Sequence, residues 1–138
     1  MILKIENGDL FHLKNTHYLA HCISQDMGMN AGIAVKFNVV YNMRNKLKNI
    51  YTKLELGCIL VDNVFNLVTK EKYWGKPNYA SIEHSLIKMR DIVKRKKIKK
   101  IAMPKIGCGL DKLKWNKVKQ IIENVFYDVD IEIIVRYL

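Results

Sequence analysis

The sequence predicts an α/β fold built on a mixed sheet, and three observations carry that expectation. Short apolar runs bounded by turn residues alternate with stretches whose apolar residues recur at helical spacing. Two β-rich runs are separated only by Asp62-Asn63, a two-residue hairpin turn that requires an antiparallel pair within the sheet. Of the 138 residues 49% are apolar, so one domain spanning 1–138 can bury a sizeable core.

Taken in order, Ile2, Leu3 and Ile5 make a first strand, with Glu6-Asn-Gly-Asp9 as its turn and Leu10 and Phe11 returning to the interior. His17 to Ser24 is a second, buried strand that runs into the polar, glycine-bearing stretch 25–32. That loop opens a long helix on which Ile33, Phe37, Val40, Tyr41 and Leu47 share one face. Gly57 to Thr69 is the hairpin. Glu71-Lys-Tyr-Trp-Gly75 follows as a polar and aromatic loop, then a helix with Tyr79, Ile82, Leu86, Met89 and Val93 on one face. Ile98, Ile101, Ala102 and Met103 suit a buried strand, ended by Pro104, which has no N–H for ladder pairing. A third helix carries Trp115, Val118, Ile122 and Val125, and Asp130 to Leu138 closes the chain as an Ile- and Val-rich strand.

Composition excludes several classes. No apolar run reaches the ~18 residues of a membrane span, and Met1-Ile-Leu-Lys lacks a secretory signal, so an intracellular, cytoplasmic protein is expected, with nuclear entry open in a eukaryotic host. Cys22, Cys58 and Cys108 are odd in number and form no C-x-x-C pair, which argues against a disulfide framework and a structural zinc site. Lys and Arg number 24 against 13 Asp and Glu, a formal charge of +11 that favours a polyanionic or phosphate-bearing partner. The densest basic run, Lys94 to Lys100, falls where a helix ends, and cations there offset the negative end of its dipole.

Two glycine-bearing loops are candidate anion sites. Gly28 and Gly32 lie between a strand and a helix N-terminus, where free N–H groups can hold a phosphate. Their spacing matches neither the dinucleotide fingerprint nor a P-loop, which disfavours an NAD-binding domain or an NTPase. In Ile106-Gly-Cys-Gly-Leu-Asp111 the glycines can take positive φ and form an anion nest, or the stretch is a plain tight turn ending in a solvated acid. Lys76 precedes Pro77, which favours the first helical position, so Lys76 is placed as a helix cap. An ammonium there faces the positive end of the dipole, which favours the nucleophilic free amine, while a snorkelling surface lysine is the plainer alternative.

Gly8-Asp-Leu-Phe11, Ala20-His-Cys-Ile-Ser24, Ala31-Gly-Ile-Ala34, Lys76-Pro-x-Tyr79 and Met103-Pro-Lys-Ile-Gly-Cys-Gly-Leu-Asp111, in this order, resemble a macro domain over nearly the whole chain. The resemblance is closest to the branch of terminal ADP-ribose protein glycohydrolases. It implies a three-layer α/β/α fold with a mixed, about six-stranded sheet and an ADP-ribose cleft at its edge. By the family's pattern Asp9 accepts from the adenine amino group, with Leu10 beside it. Ser24, Gly28, Asn30, Ala31, Gly32 and Ile33 surround the phosphates and distal ribose, and Ile106, Gly107, Cys108, Gly109 and Leu110 supply the second phosphate loop. The resemblance further implies that Lys76 attacks the distal ribose C1″ to form a covalent adduct, and that Asp111 resolves it as general acid/base.

The implied activity is release of ADP-ribose from mono-ADP-ribosylated acidic side chains, or deacylation of O-acetyl-ADP-ribose, without cofactor or metal. Its partners are ADP-ribose and ADP-ribosylated protein, and the expected state is a monomer away from any membrane. A hydrolase of ADP-ribosylated nucleic acid, which the positive charge favours, and a non-catalytic reader remain alternatives. His12, His17, His21 and His84 are scattered, and none is placed by sequence to activate Cys108. Asn30 departs from the branch's usual small residue, and Trp74 either stacks on a ligand or covers the cleft.

Overall fold

The computed structural model describes residues 1–138. Its strands are β1 (Ile2–Asn7), β2 (Tyr18–Ser24), β3 (Gly57–Val61), β4 (Val64–Lys70), β5 (Lys100–Met103) and β6 (Glu132–Tyr137). They form one six-stranded sheet in the order β1-β6-β5-β2-β4-β3. Every neighbouring pair is parallel except β3 with β4, whose antiparallel register closes through Val61 opposite Val64 across the Asp62-Asn63 turn. The helices are α1 (Ile33–Tyr41), α2 (Met43–Ile50), α3 (Tyr79–Lys96) and α4 (Trp115–Phe126).

Strand periodicity sorts the core into two layers. Phe65 and Leu67 of β4, Ala20 of β2 and Ile101 and Met103 of β5 face α3 and α4, meeting Leu86, Met89, Ile122 and Phe126. The alternate residues Leu19, Ile23, Val64, Val68 and Ala102 face the other way, onto Phe37, Met43 and Leu47 of α1 and α2 and onto Leu10 and Phe11. This is the period of two expected of strands covered on both faces.

Two local expectations are corrected. The long helix after residue 32 is two helices, because Asn42 takes a left-handed conformation (φ 52°) that ends α1 with its N–H on the Asn38 carbonyl at 2.8 Å. Asparagine tolerates that conformation better than most residues. The break rotates the buried face: Phe37 and Leu47 stay inside and Met43 joins them, while Ile33 and Val40 are exposed. Second, Lys76 does not cap α3. Asn78 does, accepting from the Ser81 N–H at 2.7 Å while the Ser81 hydroxyl accepts from the Asn78 N–H at 3.1 Å, a capping box. Leu10 and Phe11 are buried as expected, on a 3-10 turn, Leu10–Leu13, capped by Asp9.

The basic run behaves as helix-end chemistry requires. Lys94, Arg95 and Lys96 occupy the last turn of α3, and Lys97 ends it at φ 56°. Because β1, β6, β5, β2 and β4 are parallel, their carboxyl ends share one edge of the sheet. The loops after β2, β4 and β5, three adjacent strands, therefore converge there, and such an edge is where open α/β sheets bind ligands.

Candidate functional site

A cavity of about 550 Å³ opens at the converging loops, within the range of small-molecule sites. Ser24, Gly28, Asn30, Ala31, Gly32 and Ile33 line it from the β2–α1 side, and Tyr73, Trp74, Gly75 and Lys76 from the β4–α3 loop. Ile106, Gly107, Gly109, Leu110 and Asp111 complete it after β5, with Lys70 at the end of β4.

Backbone amides make the cavity receptive to anions. Gly32, at φ 62°, occupies the N-cap of α1 with no side-chain cap, so N–H groups of the first turn are left without a side-chain acceptor beside Ile33 and Ala34, which both line the cavity. On the opposite wall Gly107 takes φ 72°, and a Cβ there would stand 3.0 Å from Leu113. Gly109 is unlike its neighbour: its φ is not in the left-handed region and a Cβ would meet nothing within 4 Å. Gly28 is required for proximity, since a Cβ on it would lie 2.7 Å from the Cβ of Tyr73.

Asp26 ties the first two loops together. One carboxylate oxygen accepts from the Ser24 hydroxyl and the Gly28 N–H, and the other accepts from the Tyr73 N–H at 3.1 Å. Burial alone would raise this carboxyl, but those three bonds and the Lys72 charge outweigh it and hold the group below its ordinary value. The Ser24 hydroxyl is thus committed to Asp26. Tyr73 meets Trp74 edge to face at 5.0 Å, and Trp74 is 67% exposed on the cleft rim.

Also in the cleft, Lys70 Nζ lies 2.9 Å from Asp111 Oδ1, with the two side chains 16% and 15% exposed. Lys76 Nζ donates to the Leu110 carbonyl at 3.0 Å, which puts it beside the residue preceding the acid. Cys22 forms part of the floor; burial above all, aided by the Asp111 charge, pushes its thiol up to about 12. A neutral thiol there is a poor nucleophile.

Asp9, Leu10 and Cys108 lie outside the cavity lining. Asp9 Oδ1 accepts from the Phe11 N–H at 2.9 Å and Oδ2 pairs with Lys36 at 3.2 Å; the backbone bond leads in holding this carboxyl below its ordinary value. Leu10 is buried in the core facing α1. The Cys108 thiol donates to the Ile106 carbonyl at 3.3 Å, and burial pushes it up against the pull of Lys105. No histidine lines the cavity. Three participants were not singled out by the sequence: Asp26, Lys70 and Tyr73. Asp26 had a signal, since an aspartate two residues after a strand-end serine commonly bonds the local backbone; Lys70 and Tyr73 had none.

The family model of the macro domain matches residues 55–122. A human protein named ADP-ribose glycohydrolase OARD1 is 40% identical over 134 residues, covering 95% of this chain and 88% of that protein. The Bos taurus protein of the same name matches to the same extent, at 40% identity. The macrodomain of Mycobacterium tuberculosis DarG superposes with a TM-score of 0.86 at 21% identity, over 99% of this chain and 98% of that one. Thermosipho africanus DarTG, solved in complex with ADP-ribose, gives 0.81 at 20% identity, over 99% of this chain and 41% of that one.

Proposed function

This chain belongs to the macro domain family, and we propose that it binds ADP-ribose along the carboxyl edge of its sheet and hydrolyses ADP-ribosyl esters of acidic side chains. The observation that carries the reading is the cleft's pairing of two backbone anion sites with an adjacent lysine and acid. The open N-terminus of α1 and the loop after Gly107, where the Gly109 and Leu110 N–H groups have no backbone acceptor, offer N–H groups to a diphosphate, and Lys76 and Asp111 line the same cavity. Asp9 follows β1, four strand spacings from β4, or roughly 19 Å along the same edge. The adenine is assigned to that end and the distal ribose to Lys76.

The reaction then runs in two displacements. The free amine of Lys76 bonds to C1″ as the C1″–O bond breaks and its electron pair leaves with the carboxylate, while Asp111 takes the proton shed by nitrogen. Asp111 next returns that proton to nitrogen and takes one from an attacking water. ADP-ribose and the lysine are regenerated, and the surplus proton passes to solvent. Lys76 suits the nucleophile because its nitrogen is engaged only by a backbone carbonyl, whereas Lys70 is committed to the acid. Acyl esters of free ADP-ribose offer the same cleft a smaller substrate.

The test is ADP-ribose release from a glutamate-ADP-ribosylated protein by the native chain, Lys76→Ala and Asp111→Ala, with intact mass of the enzyme. Release lost in both variants, and a lysine adduct accumulating in Asp111→Ala, supports the mechanism. Tight ADP-ribose binding without release makes the protein a reader. A formal charge of +11 favours a second reading, in which the ADP-ribose is carried by nucleic acid. That reading requires turnover of ADP-ribosylated DNA with a steep salt dependence of binding.

A further inference from the structure

We propose that Lys70 is a positioning residue for Asp111, an inference that rests on the hydrolase reading and extends it. Asp111 sits in a turn whose neighbours Gly109, Leu110 and Lys112 are exposed, and Lys112 turns the chain at φ 60°. The backbone around it is held by two bonds, Lys112 N–H to the Gly109 carbonyl at 3.2 Å and Leu113 N–H to the Gly107 carbonyl at 2.8 Å. Neither bond fixes where the Asp111 carboxylate points.

The side chain is fixed from the sheet instead. Lys70 is the last residue of β4, and its carbonyl accepts from the Gln25 N–H at 2.9 Å, so its backbone is anchored to the strand pair β2–β4. From there its ammonium reaches Asp111 at 2.9 Å, in a pair whose side chains are 16% and 15% exposed. Three lysines line the cleft, and the other two are occupied elsewhere: Lys76 by the Leu110 carbonyl and Lys105 by the Tyr137 ring, 4.4 Å from its centroid. Of the three, Lys70 alone therefore holds the carboxylate that must protonate the lysine adduct and deprotonate water.

A carboxylate released from Lys70 turns toward solvent. ADP-ribose binding, which uses backbone amides on the two glycine loops, is spared. The step that suffers is resolution of the adduct, because a general acid/base works only within hydrogen-bond reach of its proton.

The experiment uses the full chain with Lys70→Met, which keeps the length and removes the charge, and Lys70→Arg, which keeps the charge. ADP-ribose affinity is measured by calorimetry, single-turnover release from glutamate-ADP-ribosylated protein by rapid quench, and the trapped adduct by intact mass. Lys70→Met is expected to bind ADP-ribose within about 3-fold of native while releasing it about 30-fold more slowly, with the lysine adduct accumulating. Lys70→Arg recovers most of the rate, and adding Lys70→Met to Asp111→Ala leaves the extent of adduct accumulation unchanged, as two residues acting as one unit require. Native rates in Lys70→Met overturn the proposal, and so does a rate loss matched by an equal loss of ADP-ribose affinity, which makes Lys70 a ligand contact. No release by the native chain overturns the hydrolase reading and this proposal with it; activity in native and Lys70→Met alike overturns the proposal alone.

Discussion

Replacing Asp26 with asparagine isolates one of its three bonds. The Ser24 hydroxyl and the Gly28 N–H both reach Oδ1, which the amide oxygen of asparagine can reproduce. The Tyr73 N–H reaches Oδ2, where asparagine offers an NH2 group, a donor facing a donor. A hydrogen bond to a charged acceptor contributes about 1.5–3 kcal/mol; for this half-buried site we take about 2 kcal/mol, which lowers Tm by roughly 6–10 °C in a domain of this size. The same bond fixes the loop carrying Trp74 and Lys76, so ADP-ribose affinity measured by calorimetry should fall several-fold. Because the folded-state carboxyl is depressed below its ordinary 3.8, its contribution is complete above that pH and is lost as pH falls through the lower folded value. The native-minus-variant gap in Tm should thus be constant from pH 7 to 5 and shrink below about pH 4. A gap under about 2 °C at pH 7, or one that persists unchanged into acid, would refute the assignment of Asp26 as the tie between the loops.

Two further outcomes are expected. His21 is fully buried, stacked on Phe37 at 3.9 Å and bonded through Nε2 to the Asn66 amide oxygen at 2.7 Å, and burial lowers it from 6.5 to about 4. The fold holds the neutral ring, so its contribution is complete above pH 6.5 and is eroded as pH falls toward 4, by about 3 kcal/mol; urea unfolding of the native chain against His21→Gln at pH 7.5, 5.5 and 4.5 should show the variant flatter over that window. Gly28→Ala places a Cβ 2.7 Å from Tyr73 and should displace the aromatic loop and weaken ADP-ribose binding, which calorimetry checks.

What the sequence makes legible is what local chemistry decides. Turn residues at Asp62-Asn63, the strand period of two and the positive-φ Gly107 each act within a few residues, and the structure places them as read. Gly109 was indistinguishable from Gly107 in the chain because the difference lies in Leu113 packing against one and not the other. The helix break at Asn42 was hidden because the apolar pattern runs through it, and only the backbone conformation, permitted by the asparagine, separates α1 from α2. The site is less legible still, because its decisive contacts are distant in sequence: Lys70 meets Asp111 across 41 positions and Asp26 meets Tyr73 across 47. Neither lysine nor aspartate carries a propensity that announces such a partner. The parallel sheet supplies it: adjacent strands with aligned carboxyl ends bring the ends of β2, β4 and β5 together whatever lies between them in the chain. A strand-end residue on β4 is therefore already committed to the loops after β2 and β5 once the topology is known. That is why Lys70, ordinary in the sequence, becomes the partner of Asp111 in the fold.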